Sequence, residues 1–170
     1  MLRIINNLEP FFEDSYRRIN VREYARTIKV SPPTASKLLE EYKKEGLLKK
    51  EEDKQYFYYF ANKESWLFID LSRIYWKFKL EKIGLISFFE KNFIKSVVIL
   101  FGSLSKAEAK KDSDIDIAIF SPVKKEIKIT EFEDKLKRKI QLFVFKEISE
   151  VKNKELLNNI LDGYGLGGNW

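Results

Sequence analysis

The spacing of apolar residues changes several times along the chain, and each change marks an element. The opening segment MLRIINNLEPFFED is amphipathic at helical spacing. Val21, Tyr24, Ala25 and Ile28 continue at that spacing, Val30 makes a short turn, and Ser31 stands where a helix cap belongs. Pro32 and Pro33 follow it, in a first turn whose amide hydrogens have no intrahelical partners to lose. The helix they open is predicted over about residues 32–45, with Ala35, Leu38, Leu39 and Tyr42 on its apolar face and Gly46 as its C-cap. After it, LLKKEEDKQYFYYFA reads as two short strands around a charged tip at residues 51–54.

From residue 64 the pattern is helical and aromatic, ESWLFIDLSRIYWKFKLEKIGLISFFEKNF, interrupted by Gly84. Its apolar residues, among them Trp66, Ile69, Ile74, Trp76, Phe78 and Leu80, cover more than one face, which predicts burial on several sides against the rest of the chain or a second copy of it. VVILF then reads as a fully buried strand running into Gly102 and Ser103, and DIDIAIF alternates strictly. Alternation sends Ile115, Ile117 and Ile119 to one face and Asp114 and Asp116 to the other. KRKIQLFVFKE supplies a further strand, preceded by a helical stretch around ITEFEDKLKRK. LLNNILDGYGLGGNW begins as a helix and ends in glycines, predicting either a frayed tail or a flap in which Tyr164 and Trp170 cover a cleft.

The composition shifts once, near residue 64, so the 170 residues divide into a unit at 1–63, a linker or packing helix at 64–81 and a unit at 82–170. The fold class expected is α+β. Cysteine and histidine are absent, which excludes disulfides, zinc sites of the usual ligands, thiol nucleophiles and imidazole catalysis. Chemistry has to run on carboxylates, hydroxyls, lysines and bound metal. No signal-peptide pattern and no membrane-length apolar run occurs, so the expectation is a cytoplasmic protein without a membrane partner. The net charge of +6 favours a polyanionic partner only weakly, because it is spread evenly over the two units.

Two carboxylates sharing a strand face repel each other unless a cation lies between them. Asp114 and Asp116 can hold one metal or bridge two, Gly102 lets the backbone approach a phosphate closely, and Ser103 with neighbouring amides can hold its oxygens. Magnesium, which prefers carboxylate and phosphate oxygens, completes a coherent site. Gly102-Ser103, ten intervening residues and Asp114-Ile115-Asp116 resemble the signature of the minimal nucleotidyltransferases of the DNA polymerase β superfamily. The resemblance covers about residues 82–168. It implies a small α/β domain with a mixed sheet that binds a nucleoside triphosphate, ATP being the expected one, with Mg2+ or Mn2+. Gly102 and Ser103 would hold the triphosphate, Asp114 and Asp116 the metal, and a nucleotidyl group would pass to an acceptor hydroxyl. Lys106, Lys110 and Lys111 are further candidates for the triphosphate tail. Family members carry a third carboxylate on a later strand, and matching that strand to KRKIQLFVFKE puts Gln141 in its place. A carboxamide is no base and a weaker metal ligand. Glu131, Glu133, Asp134 or Glu147 could substitute, and spacing does not choose among them.

Helix, turn, helix and hairpin over residues 1–63 resemble a winged helix-turn-helix domain. That resemblance implies DNA binding, with Thr34, Ser36 and Lys37 facing base edges and Lys49, Lys50 and Lys54 contacting phosphates. Three functions are consistent with both resemblances. One is a nucleotidyltransferase directed by its winged helix. Another is a DNA-binding regulator whose second domain is catalytically silent and serves nucleotide sensing or dimerisation. The third is an antitoxin-like partner of a helical nuclease.

Overall fold

The computed structural model describes residues 2–168, and among them the chain forms eight α-helices and seven strands in an α+β arrangement. It divides into two compact units. The first runs up to Ser72 and includes Ala107–Lys111; the second comprises Arg73–Lys106 and the chain from Asp112 onward.

In the first unit, α1 (Leu2–Glu13) buries Ile5, Leu8, Phe11 and Phe12, one stripe of its surface. The Asn20 side chain accepts from the Glu23 amide at 3.0 Å to open α2 (Val21–Ile28), which Lys29 closes in the left-handed conformation. Ser31 caps α3 (Pro32–Lys44), accepting from the Thr34 amide at 3.4 Å. The C-cap is Glu45 and not Gly46; the glycine follows at φ +72° and turns the chain toward β2 (Leu48–Asp53).

β2 pairs with β3 (Tyr56–Ala61) over six residues, from Leu48 opposite Ala61 to Asp53 opposite Tyr56. That register leaves Lys54 and Gln55 as the tip, both at positive φ, as a two-residue hairpin requires. Glu51, Glu52 and Asp53 therefore lie in the strand and not in the tip. A two-residue strand, β1 (Ile19–Asn20), pairs with β3 to give the order β1-β3-β2.

α4 (Trp66–Lys82) buries Phe68, Leu71, Tyr75, Trp76 and Leu80. Trp66 and Phe78 remain 76% and 48% exposed, so the chain itself buries one stripe of this helix at helical spacing, and these two lie off it.

The second unit holds β4 (Val97–Phe101), β5 (Ile115–Phe120), β6 (Ile140–Phe145) and β7 (Tyr164–Gly167) in the order β6-β5-β4-β7. β5 and β6 run parallel and the other pairs antiparallel, the mixed sheet anticipated from the sequence. A four-residue helix, α6 (Gly102–Ser105), follows β4. The other helices are α5 (Leu85–Asn92), α7 (Thr130–Leu136) and α8 (Lys154–Leu161), and Phe88 of α5 meets Phe132 of α7 at 5.1 Å between ring centroids. Val98, Leu100, Ile115, Ile117 and Ile119 are fully buried on one face. On the other, Val97, Ile99, Phe101, Ala118 and Phe120 form a core with Ile160 of α8, against which Phe143, Phe145, Leu156 and Leu157 pack.

The glycine-rich segment is neither tail nor flap as far as it is described, because residues 164–167 are β7, paired with β4. Trp170 lies outside the described residues. The glycines answer to that pairing: a Cβ on Gly163 would lie 2.6 Å from Ile99 Cγ2, and one on Gly168, at φ +81°, would lie 1.8 Å from the Ser96 carbonyl oxygen.

Candidate active site

β4 ends where the candidate chemistry begins. Phe101 lies opposite Asp116 across the β4–β5 ladder, and Asp116 lies opposite Gln141 across the β5–β6 ladder, so three adjacent strands contribute to one row. Asp116 points to the same face as Ala118 and Phe120, but it is only half-buried whereas they are buried. Asp114 precedes the first residue of β5 and is not inside the strand.

After Phe101 the backbone turns sharply at Gly102, at φ +71°, and a Cβ there would fall 2.2 Å from Asp116 Oδ2. Glycine is required twice over, by the left-handed conformation and by the carboxylate against it. Ser105 Oγ donates to the Gly102 carbonyl at 2.9 Å and closes the turn, placing the half-exposed Ser103 between them. Arg73 Nε donates to the Ser105 carbonyl at 2.8 Å, and the buried Arg138 donates through a terminal nitrogen to the Ser113 carbonyl at 2.7 Å. These two arginines fix the backbone after the turn and before the aspartates. Neither is legible as a positioning residue: Arg73 sits in an aromatic helix and Arg138 in a run of lysines, and their carbonyl partners are distant in sequence.

Burial, together with the neighbouring Asp114, pushes the Asp116 carboxyl above the usual range. Gln141 Nε2 donates to Asp114 Oδ2 at 2.7 Å. The donor set is thus the two carboxylates, hard oxygens suited to magnesium or manganese, and a cation between them would relieve the burial and like charge that raise Asp116. The residues fit a divalent ion. Among the described residues no group of three or more acidic side chains is arranged to hold one. Three of the four acids that could substitute for the third carboxylate have partners of their own. Glu131 pairs with Lys135 at 2.5 Å, Glu133 accepts from the Ile140 amide at 3.0 Å, and Glu147 accepts from Ser149 Oγ. Asp134 is exposed on α7.

Of the loop lysines, Lys106 donates to Asn159 Oδ1 at 2.8 Å, the Lys110 ammonium lies 5.6 Å from the Tyr16 ring centroid, and Lys111 is exposed.

The candidate nucleic-acid residues of the first unit divide similarly. Thr34 and Lys37 are exposed near the start of α3 and Ser36 is half-buried, while the Thr34 hydroxyl shares a 2.8 Å hydrogen bond with that of Ser31. Lys49 pairs with Glu64 at 2.7 Å and Lys50 with Glu40 at 2.6 Å, so both wing lysines already have carboxylate partners. Lys54 is exposed at the hairpin tip. An expectation centred on α3 and the hairpin leaves out Arg22, Arg26 and Lys29, three exposed cations along α2 and its cap, although their i, i+4, i+7 spacing is visible in the sequence.

Residues 82–163 match the family model described as "Nucleotidyltransferase domain", a span that holds the Gly102 turn, both aspartates and Gln141. The match supports a nucleotidyl-transfer type of function for that segment; domains of this family generally use a nucleoside triphosphate and a divalent metal. No curated protein and no solved structure matches the chain significantly. Among the described residues no helix is long and apolar enough to cross a membrane.

Proposed function

We propose that the second unit binds a nucleoside triphosphate, with ATP the first to test, and transfers its nucleotidyl group to an acceptor hydroxyl. The observation that carries this is the apposition of the Gly102 turn and the Asp116 carboxylate, too close for any side chain to intervene. Bare backbone amides then lie beside a carboxylate pair, which is what a metal-bound triphosphate needs on its two sides. Asp114 and Asp116 would hold a divalent ion, which supplies charge neutralisation at the phosphates when bound. Gly102 and Ser103 would orient the phosphate oxygens, and Arg73 and Arg138 would keep turn and carboxylates in register. In the transfer, the acceptor oxygen bonds to the α-phosphorus, the bond to the bridging oxygen breaks, and pyrophosphate leaves. The hydroxyl proton passes to Asp116 or to solvent, since Gln141 cannot take it.

A second reading is favoured by one bond. Gln141 holds Asp114 by donating to it, which suits a domain that keeps nucleotide without turning it over. The test compares wild type, Asp114→Asn/Asp116→Asn and Gln141→Glu with α-labelled triphosphates, magnesium and cell lysate. Label on an acceptor with wild type alone among the first two supports transfer. Retention of bound, unreacted nucleotide by wild type, with transfer appearing in Gln141→Glu, supports the silent domain.

For the first unit, we propose a winged helix-turn-helix that binds DNA. The order α1-β1-α2-α3-β2-β3 and the sheet β1-β3-β2 support it. Thr34, Ser36 and Lys37 on α3 would face base edges, and Lys54 at the hairpin tip would approach the backbone, with Lys49 and Lys50 available there once released from their carboxylates.

A further inference from the structure

We infer that the main phosphate-gripping surface of the first unit is the cationic face of α2, formed by Arg22, Arg26 and Lys29, and that it takes the phosphodiester backbone of a nucleic-acid duplex. The inference rests on the nucleic-acid reading of this unit and relocates its electrostatic grip away from the hairpin.

Four observations carry it. First, the hairpin is poorly supplied with available positive charge. Lys49 and Lys50 are paired with Glu64 and Glu40, Arg18 pairs with Glu51 and lies 3.6 Å from Asp53, and Glu51, Glu52 and Asp53 are exposed. A polyanion approaching that strand meets acids and lysines whose release costs an ion pair each. Second, Arg22, Arg26 and Lys29 are exposed and line a depression of about 570 Å³ that ends at Pro32 and has no acidic residue in its wall. The nearest acid along the helix, Glu23, is taken by Arg17 at 2.8 Å. Third, helix electrostatics do not explain the set. Arg26 and Lys29 suit the negative C-terminal end of α2, but Arg22 lies in the first turn, where the exposed amides disfavour a cation.

Fourth, the shape of the array selects the ligand. At about 1.5 Å rise per residue, positions i, i+4 and i+7 span roughly 10 Å of one helix face. That length covers about three phosphates of one strand at ~3.4 Å along the duplex axis. The cations lie in a line on an open surface, which suits a repeating polyanion better than a single enclosed phosphate. An anionic lipid surface would need apolar anchors among the cations. Among the described residues, the exposed large apolar side chains of this unit are Tyr16, Tyr56, Phe57, Trp66 and Leu67, none of them on α2 or α3.

The test measures binding of the full chain to labelled duplex DNA and duplex RNA by fluorescence anisotropy across a salt series. Anionic phosphatidylserine vesicles form a separate arm. The variant Arg22→Gln/Arg26→Gln/Lys29→Asn keeps helix-forming residues on α2 and a residue tolerant of the left-handed cap. Its logarithmic salt slope should be smaller than wild type by about 2 to 3, at ~0.9 for each phosphate no longer neutralised, and its affinity at low salt at least about tenfold weaker. Arg22→Lys/Arg26→Lys should keep the wild-type slope, which separates missing charge from misfolding. Lys49→Gln/Lys54→Gln should change the slope by less than about 1. Weakened binding to either duplex supports the inference and identifies the nucleic acid. An unchanged slope in the triple variant overturns the inference and leaves the nucleic-acid reading intact. No binding of wild type to either duplex, or binding to the vesicles alone, overturns both.

Discussion

Glu40 and Asp116 are both half-buried carboxylates beside a sheet, and their surroundings treat them in opposite ways. Hydrogen bonds from Lys50 and Tyr59 hold the Glu40 carboxyl below its usual range. Burial and the adjacent Asp114 push Asp116 above its own. Lys50 and Tyr59 face each other across β2 and β3, so the ladder of the first unit brings a cation and a phenol to the acid. The ladder of the second brings Phe101 and Gln141 to Asp116, an aromatic ring and an amide. The first arrangement is complete within the chain and serves the fold. The second leaves negative charge unanswered at the point where the backbone is barest.

The largest expected effect comes from filling that point. Gly102→Ala forces a Cβ into the space of Asp116 Oδ2 and a side chain into φ +71°. We expect triphosphate binding by calorimetry to weaken at least about 100-fold, and thermal stability to fall by about 1–3 kcal/mol for the strained backbone. Wild-type affinity in this variant would show that the apposition is unrelated to nucleotide.

Next in size is Asp116→Asn, which should lose cation-dependent nucleotide binding while gaining stability. Because the folded Asp116 binds its proton more tightly than the unfolded one, its stabilising contribution is present at low pH and lost as pH rises through the folded pKa. Melting curves should therefore show the asparagine variant above wild type at pH 7, with the gap closing as pH falls through the raised folded pKa and gone by the ordinary carboxylate range. A gap that widens on acidification would reverse the assignment.

Glu40→Gln should give the smallest change. Its half-exposed pair with Lys50 is expected to contribute about 0.5–1 kcal/mol at neutral pH. The sign is the opposite of that for Asp116: with a lowered pKa, Glu40 stabilises above the unfolded value and loses that contribution as pH falls through the folded one. Denaturant midpoints of wild type and variant should converge from about pH 5 downward. Parallel midpoints across that range would mean that the pair adds nothing to the fold.

What the sequence displayed was local. Ser31 with two prolines behind it signals a cap, five apolar residues before Gly-Ser signal a buried strand, and strict alternation puts Ile115, Ile117 and Ile119 on one buried face; each rests on neighbours within a turn or two. What it hid was set by distant partners. The β7 segment reads as a loose glycine tail because the reasons for the glycines that flank the strand, Ile99 for Gly163 and Ser96 for Gly168, lie far away in sequence. Arg138 reads as one more surface base because the Ser113 carbonyl that holds it belongs to another segment. The family resemblance puts Gln141 in the place of a third carboxylate, yet its bond to Asp114 depends on the parallel β5–β6 register.

β7 has a consequence for how the site comes into being. β4, whose end carries the Gly102 turn, is interior to the sheet only because β7 pairs along its second edge. Every element from α6 to α8 has to be synthesised before that neighbour exists. In the meantime VVILF offers an unpaired, wholly apolar edge of the kind that seeks strands on other chains. The strand at the heart of the site thus keeps one edge open until the last described strand is made, and the pairing that the close-fitting glycines on either side of β7 permit is what closes it.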